Sequence, residues 1–233
     1  MTEEAVDANV QQEVKRWLVT PGEVITEERV KLGPGVYVQD GKVVAKVLGL
    51  AELRNGMARV VPLEGNYVPR QGDTVVGIVV DVKIPGYDVD INSPYKAFLP
   101  RDQVREPLEY GDVIVATVRF VDEVKNSVIE NARKLEGGEL IYIASPRVPR
   151  VIGKNASMIT NIKNLTGSKV IVGANGRIWI KGGHSEIARD AIYKIEREAH
   201  THGLTDRIAE YIRDRVSAVE SERESNGEED KEQ

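Results

Sequence analysis

The chain has no cysteine and only three histidines, so several kinds of site are excluded at the outset. Without cysteine there can be no disulfide and no thiolate-bound metal. His184, His200 and His202 have no cluster of acids beside them that would complete a metal site, and we interpret all three as solvated or capping residues. We therefore expect no metal and no cofactor.

Long apolar runs are also missing, since no segment approaches the roughly 20 residues that span a bilayer. The first residues are acidic and polar and lack the basic and then apolar pattern of a signal peptide. We expect a cytoplasmic protein without a membrane partner. Because the sequence shows no carboxylate cluster of metal-binding type and no nucleophile with a base partner, we also expect no enzymatic activity.

Charge is distributed unevenly along the chain, whose formal net charge is -5. Residues 1–13 contain four acids and no base, and residues 217–233 carry a net charge of -5. Residues 14–216 keep 30 bases against 26 acids, so the remainder is mildly basic. Both acidic ends lack the apolar residues that would offset the entropy of ordering, and we expect residues 1–13 and 217–233 to be disordered.

Residues 147–181, RVPRVIGKNASMITNIKNLTGSKVIVGANGRIWIK, contain seven Lys or Arg residues and no acid. The pattern predicts a glycine-bearing turn at 153–156 between two helices, a helix end at Gly167, and short strands at 169–172 and 177–180. Such a window in an acidic protein creates a local positive field that favours nucleic-acid phosphates. The second helix is indicated by apolar residues at helical spacing: Met158, Ile159, Ile162 and Leu165.

A strand at 140–144 precedes this window, a long helix capped by Ser185 follows it, and a further helix is predicted at 205–216. The order resembles a KH domain of type I over 139–204, whose GxxG loop clamps a single-stranded backbone between two short helices. Ala156 replaces the last glycine of that loop, so the alternative that the turn no longer clamps RNA stays open. The candidate RNA-binding residues here are Arg147, Arg150, Lys154, Asn155 and Arg177.

The turn at Asn175-Gly176 indicates first a structural hairpin, because Asn-Gly between two strands is a hairpin signal. We expect Trp179 in the core or at a domain interface rather than as a stacking platform for RNA.

Residues 14–68 are β in character. Apolar runs flank Asp40-Gly41 and Asn55-Gly56, which are strong short-range signals for two-residue hairpins. Two such hairpins predict a small all-β domain without any cluster of acids, histidines or paired nucleophiles. Docking onto another protein and a plain structural role are both compatible with these residues.

Residues 69–135 predict five strands with a glycine inside the first, at Gly77, where a barrel strand must bend. The pattern fits an OB-type barrel and resembles the S-one-type RNA-binding domain. On such a barrel the second and third strands present aromatic and basic residues to single strands, although some aromatics must point inward because strand residues alternate. The candidates are Lys83, Tyr87, Tyr95, Lys96, Phe98 and Arg101.

An all-β domain, an S-one barrel and one KH domain in this order resemble the RNA-binding cap subunit of the archaeal exosome. The strings that carry the resemblance are PGEVI near the start, VPRVIGKN at 148–155 and GANGRIW at 173–179. The resemblance implies a multidomain, non-catalytic subunit, three copies of which cap a ring of RNase PH-like subunits. In that arrangement the cap guides single-stranded RNA, including A-rich tails, into a ring that carries the phosphorolytic chemistry.

Two other classes share these modules. A free-standing regulator of transcription or translation can combine the same barrel and KH order. A single-chain nuclease of the polynucleotide phosphorylase type places KH before the barrel and fuses both to catalytic domains, which this sequence lacks. Association with RNase subunits distinguishes the first class from the cap, and a nuclease assay on the isolated chain tests the second.

Overall fold

The computed structural model describes residues 15–63, 65–199 and 203–229, and the chain forms two compact units divided between residues 64 and 65. The expectation for residues 1–13 and the interpretation of His200 and His202 concern positions outside these residues.

The first unit is entirely β within its described residues. Its strands form two sheets, with the orders β1-β6-β7-β3 and β2-β5-β4, around a small core of alanine, valine and isoleucine side chains. The strands are β1 (Lys15–Val19), β2 (Val24–Thr26), β3 (Lys31–Leu32), β4 (Val36–Gln39), β5 (Lys42–Ala45), β6 (Gly49–Arg54) and β7 (Met57–Pro62).

Both predicted hairpins are present, β4 to β5 and β6 to β7. Asp40 and Asn55 have φ of 50° and 49°, and the glycine that follows each is also left-handed, as the two-residue turn requires. The apolar run that begins at Lys42 does not form one strand. It is interrupted at 46–48, and its halves join different sheets because they pair with different partners.

The only charged side chain buried in the described part of the first unit is Glu52, which lies on β6 between two arginines of the neighbouring strands. Arg16 Nη2 donates to Glu52 Oε1 at 3.0 Å, and Arg59 Nε donates to Oε2 at 2.7 Å. Burial by itself would raise the pKa of Glu52, but the hydrogen bonds and charges of Arg16 and Arg59 lower it on balance. Glu52 is therefore a paired structural carboxylate.

The second unit begins with a closed five-stranded barrel in the order β10-β12-β11-β8-β9. All pairs are antiparallel except β10 with β12. The five predicted strands are confirmed, and the last runs as far as Lys134. The bounds are β8 (Thr74–Val82), β9 (Gly86–Asp90), β10 (Ala97–Pro100), β11 (Val113–Val121) and β12 (Ser127–Lys134), with a 3-10 helix at Arg101–Gln103.

The rest of the second unit has the predicted order of strand, two helices, two strands and helix. Its three-stranded sheet has the order β13-β15-β14, so the last strand lies in the centre. One face of the sheet packs on the helices around Ile162, Ile178 and Ile192. The elements are β13 (Glu139–Tyr142), α1 (Val148–Ile152), α2 (Ser157–Thr166), β14 (Lys169–Val172), β15 (Arg177–Lys181) and α3 (Ser185–Arg197), with 3-10 turns at Ser145–Arg147 and Lys154–Ala156.

The last helix, α4 (Leu204–Glu229), corrects one prediction. The chain from residue 217 was expected to be disordered, but it is helical as far as Glu229. Val216 and Val219 continue the apolar stripe of Ile208 and Ile212 and pack against the core, which supports the helix past its predicted end at 216. No helix in the described part of the chain is long and apolar enough to cross a membrane.

Candidate nucleic-acid interface

The loop between α1 and α2 and the helix end before it present exposed cations of the basic window. Arg150, at the end of α1, and Lys154 and Asn155, in the loop, are exposed. Neither Arg150 nor Lys154 has an ion-pair partner among the described residues. The sharp turn depends on Gly153, where φ is +76° and a Cβ would lie 2.7 Å from the Cβ of Met158. Both cations flank this turn and are open to solvent.

The end of the same loop is strained. Asn155 and Ala156 both adopt left-handed backbone conformations, with φ of 51° and 60°. Asparagine tolerates this region, whereas alanine is disfavoured there by about 1–2 kcal/mol. Ala156, which replaces the last glycine of the loop, thus adopts a positive φ that glycine would adopt more easily.

Arg147 differs from its two neighbours in the window. Its side chain is half-buried, and Nη1 donates to the backbone oxygen of Glu196 at 2.6 Å, near the C-terminal end of α3. A cation at that end of a helix satisfies a terminal carbonyl and complements the helix dipole. Part of the Arg147 guanidinium is thus engaged in the fold.

Arg177 was expected to contact RNA, and the structure contradicts this. Its side chain is only 5% exposed. Nη1 donates to the backbone oxygen of Asp90, Nη2 donates to the Asp90 carboxylate, and the guanidinium lies 5.5 Å from the centre of the Tyr142 ring. Arg177 lies at the start of the central strand β15 and faces the barrel. This position explains why it joins the α/β part of the second unit to the barrel instead of facing solvent.

Asn175 is fully buried beside Arg177 and also links the α/β domain to the barrel. Its Nδ2 donates to the backbone oxygens of Val76 at 2.7 Å and Ile91 at 2.9 Å, while Oδ1 accepts from the Val76 N–H at 3.2 Å. Its own backbone oxygen accepts from Asn92 Nδ2 at 3.0 Å. The turn is a hairpin, as expected, but the side chain of its asparagine also takes the place of a neighbouring strand, because it bonds backbone groups of Val76 on β8 and of Ile91 just after β9. Trp179 is buried, as predicted.

On the barrel, Tyr87 was expected to be available for stacking, and it is not. It is 1% exposed, lies in the barrel core, and its hydroxyl accepts a hydrogen bond from the Leu108 N–H at 3.2 Å. The alternation of strand residues turns this ring inward. Arg101 lies against it, with the guanidinium 6.0 Å from the ring centre.

Lys83 is exposed, but two carboxylates surround it. Its Nζ pairs closely with Asp88 and lies 3.5 Å from Asp81. The hydrogen bond to Asp88 raises the pKa of Lys83, and the charges of both acids add to the effect. An incoming phosphate would have to compete with these acids, so the local field around Lys83 is not positive.

Tyr95, Lys96 and Phe98 remain candidates on the barrel. Lys96 is exposed, and the two rings are half-buried. Sequence reasoning missed Asp90 as the partner of Arg177 and the bridging role of Asn175, because both contacts join positions more than eighty residues apart. The GANG string was noticed, but its local pattern indicated only a hairpin. No group of three potential metal-ligating residues lies together within the described part of the chain.

Comparisons of the sequence with known proteins agree on one family. Residues 16–64 match the family model of the exosome RNA binding protein RRP4 N-terminal domain. The exosome complex component Rrp4 of Pyrococcus furiosus is 42% identical, over 83% of this chain and 81% of that protein. Rrp4 of Thermococcus kodakarensis is 38% identical, over 92% of this chain and 94% of that protein.

A solved structure of an exosome complex RNA-binding protein is also similar. It superposes with a TM-score of 0.60 at 32% identity, covering 66% of this chain and 99% of that one. Similarity to these curated relatives over 83% and 92% of the chain, together with the match of the N-terminal domain, shows that this chain belongs to the Rrp4 family of exosome complex components.

Proposed function

We propose that this protein is the non-catalytic RNA-binding subunit of an exosome, which caps the RNase ring and guides single-stranded RNA 3' ends into it for 3'-to-5' degradation. The observation that carries the proposal is membership of the Rrp4 family along 83% of the chain. The relatives are named as exosome components, and the matched N-terminal model and similar structure are described as RNA-binding.

The two folds of the second unit support specific assignments. We assign residues 69–135 to an S-one-type OB domain, because the closed barrel has the five strands and linking order of that class. We assign residues 139–204 to a type I KH domain, because two short helices flank a glycine turn and the last strand is central in the sheet. Helix α4 then extends this domain at its C-terminal side.

The RNA would follow a path over cations that the fold leaves exposed. Arg150, Lys154 and Asn155 supply phosphate and polar contacts on the KH side, and Lys96 does so on the barrel. The buried contacts of Asn175 and Arg177 fix these two surfaces relative to each other, so a strand crossing both meets a preformed path. Phosphate contacts of this kind position RNA without selecting its sequence.

The first unit, within residues 14–68, is assigned to docking on a ring of RNase PH-like subunits, with three copies per complex. In support, residues 16–64 of this unit match the family model of the exosome RNA binding protein RRP4 N-terminal domain. Phosphorolysis would be carried out by the ring, and the cap would contribute affinity for RNA, including A-rich tails.

Reconstitution tests the proposal. The full chain is mixed with the RNase PH-like subunits of the same source, and assembly and phosphate-dependent RNA degradation are measured. We expect co-elution with the ring, faster degradation of RNA by the assembled complex, and no degradation by the chain alone. A chain lacking residues 1–64 should keep RNA affinity but no longer co-elute. Failure of the full chain to bind the ring, with RNA affinity intact, would instead favour the free-standing regulator.

A further inference from the structure

The chain contains only two phenylalanines, and both lie in one row across the outside of the barrel. Phe98 on β10 is the register partner of Val128 on β12, and Val128 is in turn the partner of Phe120 on β11. We call Phe98, Val128 and Phe120 the phenylalanine row. Phe98 is more than twenty positions from the other two residues in sequence, yet the strand pairing brings all three into one apolar strip.

The row faces away from the barrel core. Ala97 and Leu99, on either side of Phe98, are buried, as are Ser127 and Ile129 on either side of Val128. Alternation along a strand therefore turns the row outward. Phe120 is 55% exposed, and its ring has no polar atom that could gain from contact with water. An exposed ring of this kind is available to a planar ligand.

Two lysines flank the row at the end where β11 turns into β12. The Ser127 N–H donates to the backbone oxygen of Lys96 at 2.9 Å, and the Lys96 N–H donates to Asn126 Oδ1 at 3.2 Å. Lys96 therefore lies beside the turn that carries Lys125. Both lysines are exposed, and neither has an ion-pair partner among the described residues.

The acids near this turn do not neutralise the lysines as Asp81 and Asp88 neutralise Lys83. The Asp122 carboxylate accepts hydrogen bonds from the Asn126 backbone at 2.7 Å and from its side chain at 3.3 Å, and so holds the turn. Glu130 lies 3.7 Å from Arg119. Glu123 is the one exposed acid of the turn, whereas Lys96 and Lys125 contribute two exposed positive charges.

We propose that the phenylalanine row, with Lys96 and Lys125, is a base-stacking surface for single-stranded RNA on the barrel. This assignment rests on the proposed function, because it identifies where the barrel would hold the RNA. Aromatic rings accept any base face, and adjacent lysines neutralise the connecting phosphates. The combination of the exposed Phe120 ring, the half-buried Phe98 ring and two lysines without an ion-pair partner among the described residues favours RNA over a protein partner, whose apolar contact would not require the lysines.

Substitution of Phe120 in the full chain separates stacking from charge. Phe120→Ala should weaken binding of oligo(A) by about five-fold or more, as base–aromatic stacking predicts, and should leave the salt dependence of affinity unchanged. Lys125→Ala should instead make the slope of log affinity against log salt shallower by about 0.7, the value for one phosphate on a single strand. Because Phe120 is exposed, the melting temperature of both variants should match that of the parent.

Tyr110 supplies the matched control, because it is 78% exposed and lies just before the other end of β11. Tyr110→Ala should leave affinity unchanged. As an independent readout, Phe120→Trp should retain binding and show quenched tryptophan fluorescence when oligo(A) is added, whereas Tyr110→Trp should not. Equal affinities for Phe120→Ala and the parent, or no quenching in Phe120→Trp, would overturn the stacking surface while leaving the proposed function intact. Absence of RNA binding by the parent would overturn both.

Discussion

Two parts of the basic window have opposite environments. Arg150 and Lys154, at its start, are exposed and have no ion-pair partner among the described residues. Arg177, near its end, is buried against Asp90, and Asn175 beside it is fully buried. The same excess of positive charge thus has a binding-competent part and a structural part. The difference lies in position, since Arg150 and Lys154 lie at the turn between two short helices, whereas Arg177 lies at the start of β15 against Asp90 of the barrel.

Asn175→Ala should lower the stability of the buried part of the window most. It removes three side-chain hydrogen bonds from Val76 and Ile91 and leaves their buried backbone groups without partners. Each such group costs about 1–3 kcal/mol, so we expect the free energy of unfolding to fall by about 3 kcal/mol or more. Urea denaturation of the full chain measures it.

Asn155→Gly is the matched control for Asn175→Ala. Asn155 is exposed and left-handed, a conformation that glycine adopts without strain, so the free energy of unfolding should change by less than about 1 kcal/mol. Similar losses in both variants would show that Asn175 does not hold the barrel against the α/β domain.

Arg177→Ala should have the next largest effect. It leaves the backbone oxygen of Asp90 without its donor and the Asp90 carboxylate without its cation. Since that carboxylate is partly exposed, we expect a loss of about 2 kcal/mol, less than for a fully buried pair. The salt dependence of RNA affinity should remain that of the parent when it is measured well below the melting temperature. A shallower slope in the folded variant would restore Arg177 as a phosphate contact.

The contrast between Arg177 and Arg150 also marks the limit of what the sequence could predict. Strand and helix positions followed from local patterns: Asp40-Gly41 and Asn55-Gly56 specified their hairpins, and Met158 and Ile162 specified the buried side of α2. Local patterns could not predict the burial of Arg177, because its partner Asp90 lies in the barrel and is 87 residues away in sequence. Tyr87 was misassigned for a related reason, since alternation fixes which residues share a face but not which face is inside.

The C-terminal helix extends further than its acidic composition predicts, because its apolar spacing continues past residue 217. The acidic residues after 217 indicated disorder, but Val216 and Val219 continue the spacing of Ile212 on α4. Glutamate and arginine are good helix formers, and a helix already anchored in the core needs no new nucleus to extend. The local charge pattern was identified correctly, and its consequence for structure was wrong.

Replacing Arg150 and Lys154 together by alanine tests the exposed end of the window. The slope of log RNA affinity against log salt should become shallower by about 1.4, or 0.7 for each phosphate that is lost. The free energy of unfolding should change by less than about 0.5 kcal/mol, because both side chains are exposed and unpaired among the described residues. Relative affinities for oligo(A) and a mixed sequence should stay the same. An unchanged slope in the folded double variant would remove this loop from the RNA path.

Ala156→Gly should have the smallest effect and tests the conformation of the same loop. Ala156 has φ of 60°, and glycine would relieve a strain of about 1–2 kcal/mol. Glycine also gives the unfolded chain more freedom, which costs about 0.4–1 kcal/mol, so the net stabilisation should be about 0.5 kcal/mol. Ala218→Gly, at an exposed position inside α4, lacks the strain and should instead destabilise the protein by about 1 kcal/mol. Loss of stability in Ala156→Gly would mean that residue 156 is not left-handed in solution. If RNA affinity rises in the same variant, the backbone of the loop approaches the phosphates; if it is unchanged, Arg150 and Lys154 act through charge alone.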